Sequence, residues 1–254
     1  MVGSFGGPFP GLFFWIMWKL NMNFFARLII SLGVVAGIAA GLLSVTYSTT
    51  APEIAKRELE DQAKALQNVF FLQQENGKLA LEGKEIAPGV TALFSPGDAA
   101  KPTYYAVTGQ ATGYNSGVPI SLMVGFTGPA KDAPTLLQGY VDADRMPGKD
   151  KSGEYIVGFS VINSEETPGL GEKIKDQRPP YTWMQAFTGK KPAPNPDSST
   201  DFQRQFRGRL SDDLILKKDG GELDAITAST ITSRGVIAAL RDASGKLHQA
   251  LSAQ

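Results

Sequence analysis

The sequence contains no cysteine and only one histidine among its 254 residues. The absence of cysteine excludes disulfides, thiolate metal sites and cysteine nucleophiles. A zinc site would need Asp and Glu ligands almost alone, which is uncommon, so no metal site is predicted. His248 is the one imidazole that a Ser-His-Asp triad could use, but it stands in the polar tail HQALSAQ. We interpret it as a solvated tail residue and assign no catalytic residue.

The chain also lacks an excess of either charge, since 25 basic residues balance 25 acidic ones. A nucleic-acid-binding protein usually presents a basic face, so no nucleic-acid partner is predicted. The length accommodates one sizeable domain together with a membrane anchor.

Charge is absent between Arg27 and Glu53, where residues 28–47 read LIISLGVVAGIAAGLLSVTY. Twenty helical residues span about 30 Å, the thickness of the hydrocarbon core of a bilayer. The apolar part of a cleaved signal peptide is shorter, about 7–15 residues. The sequence therefore predicts an uncleaved transmembrane anchor over residues 24–50.

Basic residues precede this anchor, at Lys19 and Arg27, whereas acids and bases are mixed over residues 53–61. The positive-inside rule then predicts a cytoplasmic N-terminus and an extracytoplasmic body, as in a single-pass protein of the bacterial inner membrane with a periplasmic C-terminal domain. Three glycines four residues apart would let another membrane helix approach closely, although glycine is common in membrane helices anyway; they are Gly33, Gly37 and Gly41.

Residues 1–23 are assigned as an N-terminal extension. Its aromatic run FFWIMW is suited to a membrane interface. Met22 is an alternative start, which would leave MNFFARL as the lead into the anchor.

Beyond the anchor, residues 51–254 are predicted to form one extracytoplasmic domain. The spacing Thr50-Ala-Pro-Glu53 is that of a capping box and predicts a helix over residues 51–72, following the anchor after a bend at Pro52. Alternating apolar residues predict strands over 120–127 and 155–161, in sheets with one face buried.

Towards the C-terminus, residues 181–187 suggest a short helix and residues 190–200 a proline-rich surface loop. Residues 214–226 suggest a hairpin or a bulged turn. Residues 232–243 suggest a helix that turns three apolar side chains to the body: Val236, Ala239 and Leu240. The predicted fold class is α+β and mostly antiparallel.

Two segments have the composition of a ligand site. In SEETPGLGEKI, at 164–174, Pro168, Gly169 and Gly171 form a loop that can bring backbone N–H groups close to a ligand, or else an ordinary tight turn. In LDAITASTITSRGV, at 223–236, five hydroxyl side chains gather where a helix is predicted to begin. They suit a helix cap, and the same helix start suits a phosphate; the residues alone leave both open.

The second segment resembles the flavinylation motif of the FMN-binding family that includes the G subunit of Rnf electron-transport complexes and the C subunit of the sodium-pumping NADH:quinone oxidoreductase. The motif is Asp, two free positions, Ser or Thr, Gly, Ala, Thr. Asp224, Thr227 and Thr230 match it, whereas Ala228 and Ser229 replace its Gly and Ala. The resemblance covers residues 25–241 and includes KKDGGELDAIT, ITSRGV, GYNSGVPISLMVGF, ETPGLGEKI and QFRGRL.

The resemblance implies that FMN is bound covalently, through a phosphoester to Thr230, by a separate flavin transferase that uses FAD and a magnesium ion. Asp224 and Thr227 would be recognition or positioning residues, and Ser229 is the alternative acceptor. The remaining hydroxyls, Thr232 and Ser233, are assigned to the helix start. The family's glycine at position 228 permits a positive φ, which alanine restricts.

The resemblance also places the loop at 164–174 beside the flavin, with Leu170 on the isoalloxazine ring. The positions assigned to this contact are Thr167, Gly169, Leu170 and Gly171.

The resemblance further implies an electron-relay subunit of an Rnf-type complex, which couples ferredoxin and NAD oxidoreduction to ion movement across the membrane. Such a subunit has no evident substrate of its own, and its partners are the other membrane and redox subunits. Two alternatives stay open: a covalent-FMN subunit of a different membrane reductase, and a non-redox extracytoplasmic binding domain in which TASTITS is only a helix cap.

Overall fold

A computed structural model describes residues 23–75, 78–96, 101–128, 133–142, 153–175, 197 and 199–253. The chain divides into two compact units, Met1–Glu58 and Leu59–Gln254. The helices are α1 (Phe24–Val69), α2 (Ala133–Leu136), α3 (Asp201–Arg204) and α4 (Thr230–Ser252). The strands are β1 (Gln74–Glu75), β2 (Lys78–Leu79), β3 (Glu82–Ala87), β4 (Val90–Phe94), β5 (Tyr104–Ala111), β6 (Ile120–Thr127) and β7 (Ile156–Asn163).

The predicted anchor lies in α1, which within the described residues is the one helix long and apolar enough to cross a membrane. Its apolar side chains in the first unit, such as Ile29 and Leu43, are exposed, as lipid-facing side chains require. The predicted capping box at residues 50–53 is wrong, because the predicted helix runs on from the anchor and α1 continues through Pro52. The Thr50 hydroxyl donates to the Thr46 carbonyl at 2.8 Å instead of capping. Proline lacks the backbone N–H and so removes one hydrogen bond from the helix. The helix continues past Pro52 because extending an existing helix requires no new nucleation.

The second unit is built on a five-stranded antiparallel sheet in which each strand pairs with the next along the chain, in the order β3-β4-β5-β6-β7. Strands β1 and β2 form a separate two-stranded ribbon. The apolar helix followed by this antiparallel domain confirms the predicted α+β fold class.

Both faces of the sheet are buried at β6 and over most of β5 and β7, so the prediction of one buried face is wrong there, whereas the edge strand β3 is largely exposed. All eight residues of β6 are buried. Alternate residues enter two separate cores: Leu122 and Val124 pack with α4, whereas Met123 lies with Val69 at the end of α1. The small residues between the large ones, Ser121 and Gly125, resemble a solvent face in sequence, but both are buried, and Gly125 is where a second layer packs closely.

Two strand glycines show how closely the helices approach. A Cβ atom on Gly109 of β5 would lie 2.1 Å from the Ala239 carbonyl oxygen of α4. On the opposite face, a Cβ atom on Gly125 of β6 would lie 2.5 Å from Val69 of α1. A side chain at either position would push a helix off the sheet.

The C-terminal helix is longer than predicted. Val236, Ala239 and Leu240 are buried, as expected, but α4 runs on to Ser252 because Leu247 and Ala250 continue its buried face. His248 is therefore a helix residue and not part of an irregular tail, but its side chain is exposed to solvent, as predicted. Its Nε2 lies 2.9 Å from Oε2 of Glu154, just ahead of β7.

Residues 214–226 are predicted to form a hairpin or a bulged turn, and the structure has a turn rather than a hairpin. A 3-10 turn, Lys217–Asp219, is followed by Gly220 with φ of +90°, and an isolated bridge pairs Leu216 with Leu223. The predicted short helix at 181–187 lies outside the described residues, as does most of the loop at 190–200. The end of that loop is packed, since Ser199 is buried.

Candidate functional site

The start of α4 and two loops surround a cavity of about 430 Å³. One loop follows β5 and the other follows β7. The lining residues are Tyr114, Thr167, Leu170, Gly171, Ala228, Ser229, Thr230, Ile231 and Thr232. Five of the eight predicted site residues are among them, although they come from segments about 60 positions apart. The fold thus brings the two segments with ligand-site composition to one place.

Residues 167–171 form a tight turn that presents Leu170 to the cavity. The carbonyl of Thr167 accepts hydrogen bonds from the amides of Leu170 and Glu172, both at 3.2 Å. Gly169 has φ of +73° and open space where a side chain would stand, so its backbone shape is what the turn needs. Gly169 itself does not line the cavity; its role is to expose Leu170, which is 41% accessible.

A buried carboxylate, Glu166, contacts α4 and lies against both loops of this site. Its Oε2 accepts from the hydroxyl of Thr232 at 2.6 Å. Cβ atoms on Gly113 and Gly171 would lie 2.0 Å and 2.7 Å from its two oxygens. Its Oε1 has no hydrogen-bond partner among the described residues. Glu166 leaves no room for a side chain at Gly113 or Gly171. Its hydrogen bond with Thr232 holds α4 beside the two loops.

Sequence reasoning does not single out Glu166. It is the first residue of ETPGLGEKI, and an acid beside a glycine-rich turn is the only indication that the sequence offers. The assignment of its partner Thr232 to the helix start is wrong, because the Thr232 hydroxyl is directed to this carboxylate.

The hydroxyl that does secure the helix start is Ser233. Its Oγ accepts from the Ile226 amide at 3.0 Å and donates to the Ser229 carbonyl at 2.9 Å. Ser229 is the N-cap residue by position, but its side chain makes no capping hydrogen bond within the described structure. The first amides of an α-helix have no acceptor inside the helix, and they carry the positive end of its dipole. This end of α4 faces the cavity through Thr230.

Ala228 adopts the left-handed conformation, with φ of 62°, and it is the only described residue other than glycine with a positive φ. It occupies the position of the motif's glycine. The turn that it makes separates the hydroxyls on either side: Ser229 and Thr230 line the first cavity, whereas Thr227 lines a second one of about 530 Å³.

The second cavity also contains Asp224, whose Oδ2 accepts from Lys217 Nζ at 2.7 Å. The structure therefore does not bring Asp224 and Thr227 into the cavity of Thr230. Both residues are exposed, on the other side of the turn at Ala228.

We expect Ala228→Gly to stabilise the protein. A left-handed conformation costs an alanine about 1–2 kcal/mol, part of which is offset by the larger unfolded-state entropy of glycine. The free energy of unfolding should rise by about 0.5–1 kcal/mol, measured by urea denaturation. Ala253→Gly is the control, because Ala253 at the end of α4 has φ of −90° and should give no gain. A loss of stability in Ala228→Gly would contradict the prediction.

One charged residue before the motif, Lys218, contacts the Thr230 hydroxyl. Lys218 Nζ donates to Thr230 Oγ1 at 2.9 Å. The next residue, Asp219, is held by Arg234 of α4 through hydrogen bonds of 2.6 and 3.0 Å. These hydrogen bonds from Arg234 lower the pKa of Asp219. The turn Lys217–Asp219 is thus fixed beside the first turn of α4.

Two family profiles match the chain. The profile of the FMN-binding domain family matches residues 148–245, which include the loop at 164–174 and the start of α4 but not Tyr114. The profile of the RnfG N-terminal region matches residues 30–69, within α1.

Several curated proteins are similar over most of their length, and each is named as the G subunit of an ion-translocating oxidoreductase complex. The protein from Vibrio vulnificus is 30% identical over 215 residues, covering 84% of each chain. That from Aliivibrio fischeri is 29% identical over 207 residues, 81% of each chain. That from Methanosarcina acetivorans is 25% identical over 217 residues, 85% of this chain and 91% of its own. The chain belongs to the family of G subunits of ion-translocating oxidoreductase complexes.

Proposed function

We propose that this protein is the electron-relay subunit of an Rnf-type ion-translocating complex and carries FMN bound covalently to Thr230. The observation that supports it most is the convergence of ETPGLGEKI and TASTITS on one cavity, with the Thr230 side chain at its wall. The relatives are named as subunits of an ion-translocating oxidoreductase complex, and the family profile over this region is that of an FMN-binding domain.

The residues of the cavity suit FMN. Its volume of about 430 Å³ falls within the range of small-molecule sites, about 300–1,000 Å³. Leu170, Ile231 and Tyr114 are exposed apolar side chains that could pack against a flat ring system. The start of α4 offers hydroxyls and free amides, which suit a phosphate.

Attachment requires an accessible hydroxyl, and Thr230 provides one, since it is only partly buried. A flavin transferase using FAD and Mg²⁺ would form a bond between Thr230 Oγ1 and the FMN phosphorus. The anhydride bond of FAD breaks, AMP leaves, and the hydroxyl proton is released. Asp224 and Thr227 remain exposed beyond the turn at Ala228, where an enzyme bound to this segment could contact them.

The bound flavin supplies the redox chemistry, while the protein sets its position and surroundings. In the proposed arrangement, residues 24–50 of α1 hold the protein in the bacterial inner membrane, and residues 51–254, which include the end of α1, lie in the periplasm. Residues 1–23 precede the anchor on the cytoplasmic side. The partners are the other membrane and redox subunits, and the complex as a whole is the translocase.

The proposal is tested by expressing the full chain together with the other subunits of an Rnf-type complex and a flavin transferase. We expect the chain to purify with the complex and to keep a fluorescent flavin on a denaturing gel. Flavin attachment without the complex would favour a different membrane reductase. A colourless chain would favour the non-redox binding domain.

A further inference from the structure

Lys218 makes a contact that the family resemblance does not account for. Its ammonium donates to Thr230 Oγ1 at 2.9 Å across twelve positions of sequence. Both neighbours in its turn are engaged with opposite charges, Lys217 with Asp224 and Asp219 with Arg234. Among the described residues, Lys218 is in no ion pair within 4.0 Å and points at a neutral hydroxyl.

The placement of this ammonium is set by the surrounding structure. Gly220, with φ of +90°, closes the 3-10 turn that contains Lys218. The bridge between Leu216 and Leu223 fixes the base of that turn, and the ion pair from Asp219 to Arg234 ties it to α4. Lys218 is thereby held beside the first residue of α4 although it is itself exposed.

We propose that Lys218 positions the Thr230 hydroxyl for flavin attachment and then serves as the counter-charge of the resulting phosphodiester. This inference rests on the proposed function. A phosphodiester keeps one negative charge, on oxygens adjacent to Oγ1, where the ammonium already lies. The start of α4 also favours an anion there, but it supplies only partial charges. Lys218 adds a full charge and a charge-assisted hydrogen bond.

The test compares Lys218→Met, Lys218→Arg and Lys84→Met with the wild type in the full chain. Lys84 is the control, because it is an exposed lysine on β3, outside the residues that line the cavity, and its replacement removes the same charge. Purified transferase, FAD and Mg²⁺ are added, and the initial rate of covalent flavin incorporation is followed by intact mass. We expect Lys218→Met to lower the rate about tenfold, equivalent to about 1.4 kcal/mol. Lys218→Arg should restore most of the rate, and Lys84→Met should match the wild type.

A second measurement uses the protein after flavin attachment. If Lys218 acted only in recognition by the transferase, its replacement would leave the ³¹P spectrum of this protein unchanged. The ³¹P resonance of the phosphodiester should shift in Lys218→Met and return towards the wild-type position in Lys218→Arg. Unchanged rates and unchanged ³¹P spectra in Lys218→Met would overturn the role of Lys218 while leaving the proposed function intact. Equal slowing in Lys84→Met would also overturn it, because net charge would then explain the rate. A wild-type chain that takes up no flavin would instead overturn the proposed function.

Discussion

We expect Thr230→Val to abolish the covalent flavin completely. Valine has nearly the volume of threonine but lacks the oxygen that must bond to phosphorus. When coexpressed with a flavin transferase, the wild type should gain the mass of one FMN less water on a peptide containing Thr230, and the variant should gain none. Under ultraviolet light, the denatured wild type should fluoresce on a gel and the variant should not.

The fold should survive this change, which makes the loss of flavin interpretable. The one hydrogen bond described for the Thr230 hydroxyl comes from the exposed Lys218, and the packing of α4 depends on other residues. The free energy of unfolding of the flavin-free variant should stay within about 0.5 kcal/mol of that of the flavin-free wild type. A variant that no longer folds would show a much larger loss in the same urea titration.

Two companion variants identify the acceptor. Thr230→Ser keeps an oxygen at the same place and should still gain flavin, whereas Ser229→Ala should keep the adduct because Ser229 is buried. Flavin that persists in Thr230→Val and disappears in Ser229→Ala would move the attachment to Ser229. Flavin that persists in both variants would contradict the motif register altogether.

The sheet and the C-terminal helix were predictable because their apolar residues recur with the period of the element. The alternation over 120–127 predicted β6, and Val236, Ala239 and Leu240 predicted the inner face of α4. The same alternation led to the wrong prediction that only one face of β6 is buried. Glycine and serine between large residues indicate a solvent face only when no second layer exists, and here Gly125 is where the end of α1 approaches the sheet.

The site was predictable from the motifs and their order, but its internal geometry was not. Loss of the motif's glycine raised the question of a positive φ at Ala228, and the structure has that φ. Nothing local indicated that Asp224 and Thr227 would lie on the other side of this turn. The contacts of Glu166 with Thr232 and of Lys218 with Thr230 join residues 66 and 12 positions apart, so they depend on packing that the sequence does not display.

The second large effect is expected at Asp197, which does not line this cavity. The buried guanidinium of Arg207 donates to both carboxylate oxygens of Asp197, at 3.0 and 2.9 Å. It also donates to Ser199 Oγ at 2.6 Å and lies 5.1 Å from the centre of the Phe71 ring. Only 14% of the Asp197 side chain is exposed. Removing the carboxylate would leave a buried cation without its counter-charge.

We expect Asp197→Ala to lower the free energy of unfolding by about 3–5 kcal/mol, the usual cost of removing one partner of a buried ion pair. The control is Asp219→Ala, which removes the exposed partner of Arg234 and should cost much less, because exposed ion pairs contribute little to stability. Urea denaturation at neutral pH measures both. Equal effects from the two substitutions would contradict a special role for the buried pair.

The same ion pair predicts how stability depends on pH. Burial alone would raise the pKa of Asp197, but the hydrogen bonds and charge of Arg207 outweigh it and lower the pKa from 3.8 to about 2. A carboxylate with a lowered folded-state pKa stabilises the protein above its unfolded pKa, and this stabilisation is lost as the pH falls through the folded pKa. The difference in unfolding free energy between wild type and Asp197→Ala should therefore shrink by about 2 kcal/mol between pH 5 and pH 2. A difference that stays constant over this interval would show that the carboxylate acts through its size and not its charge.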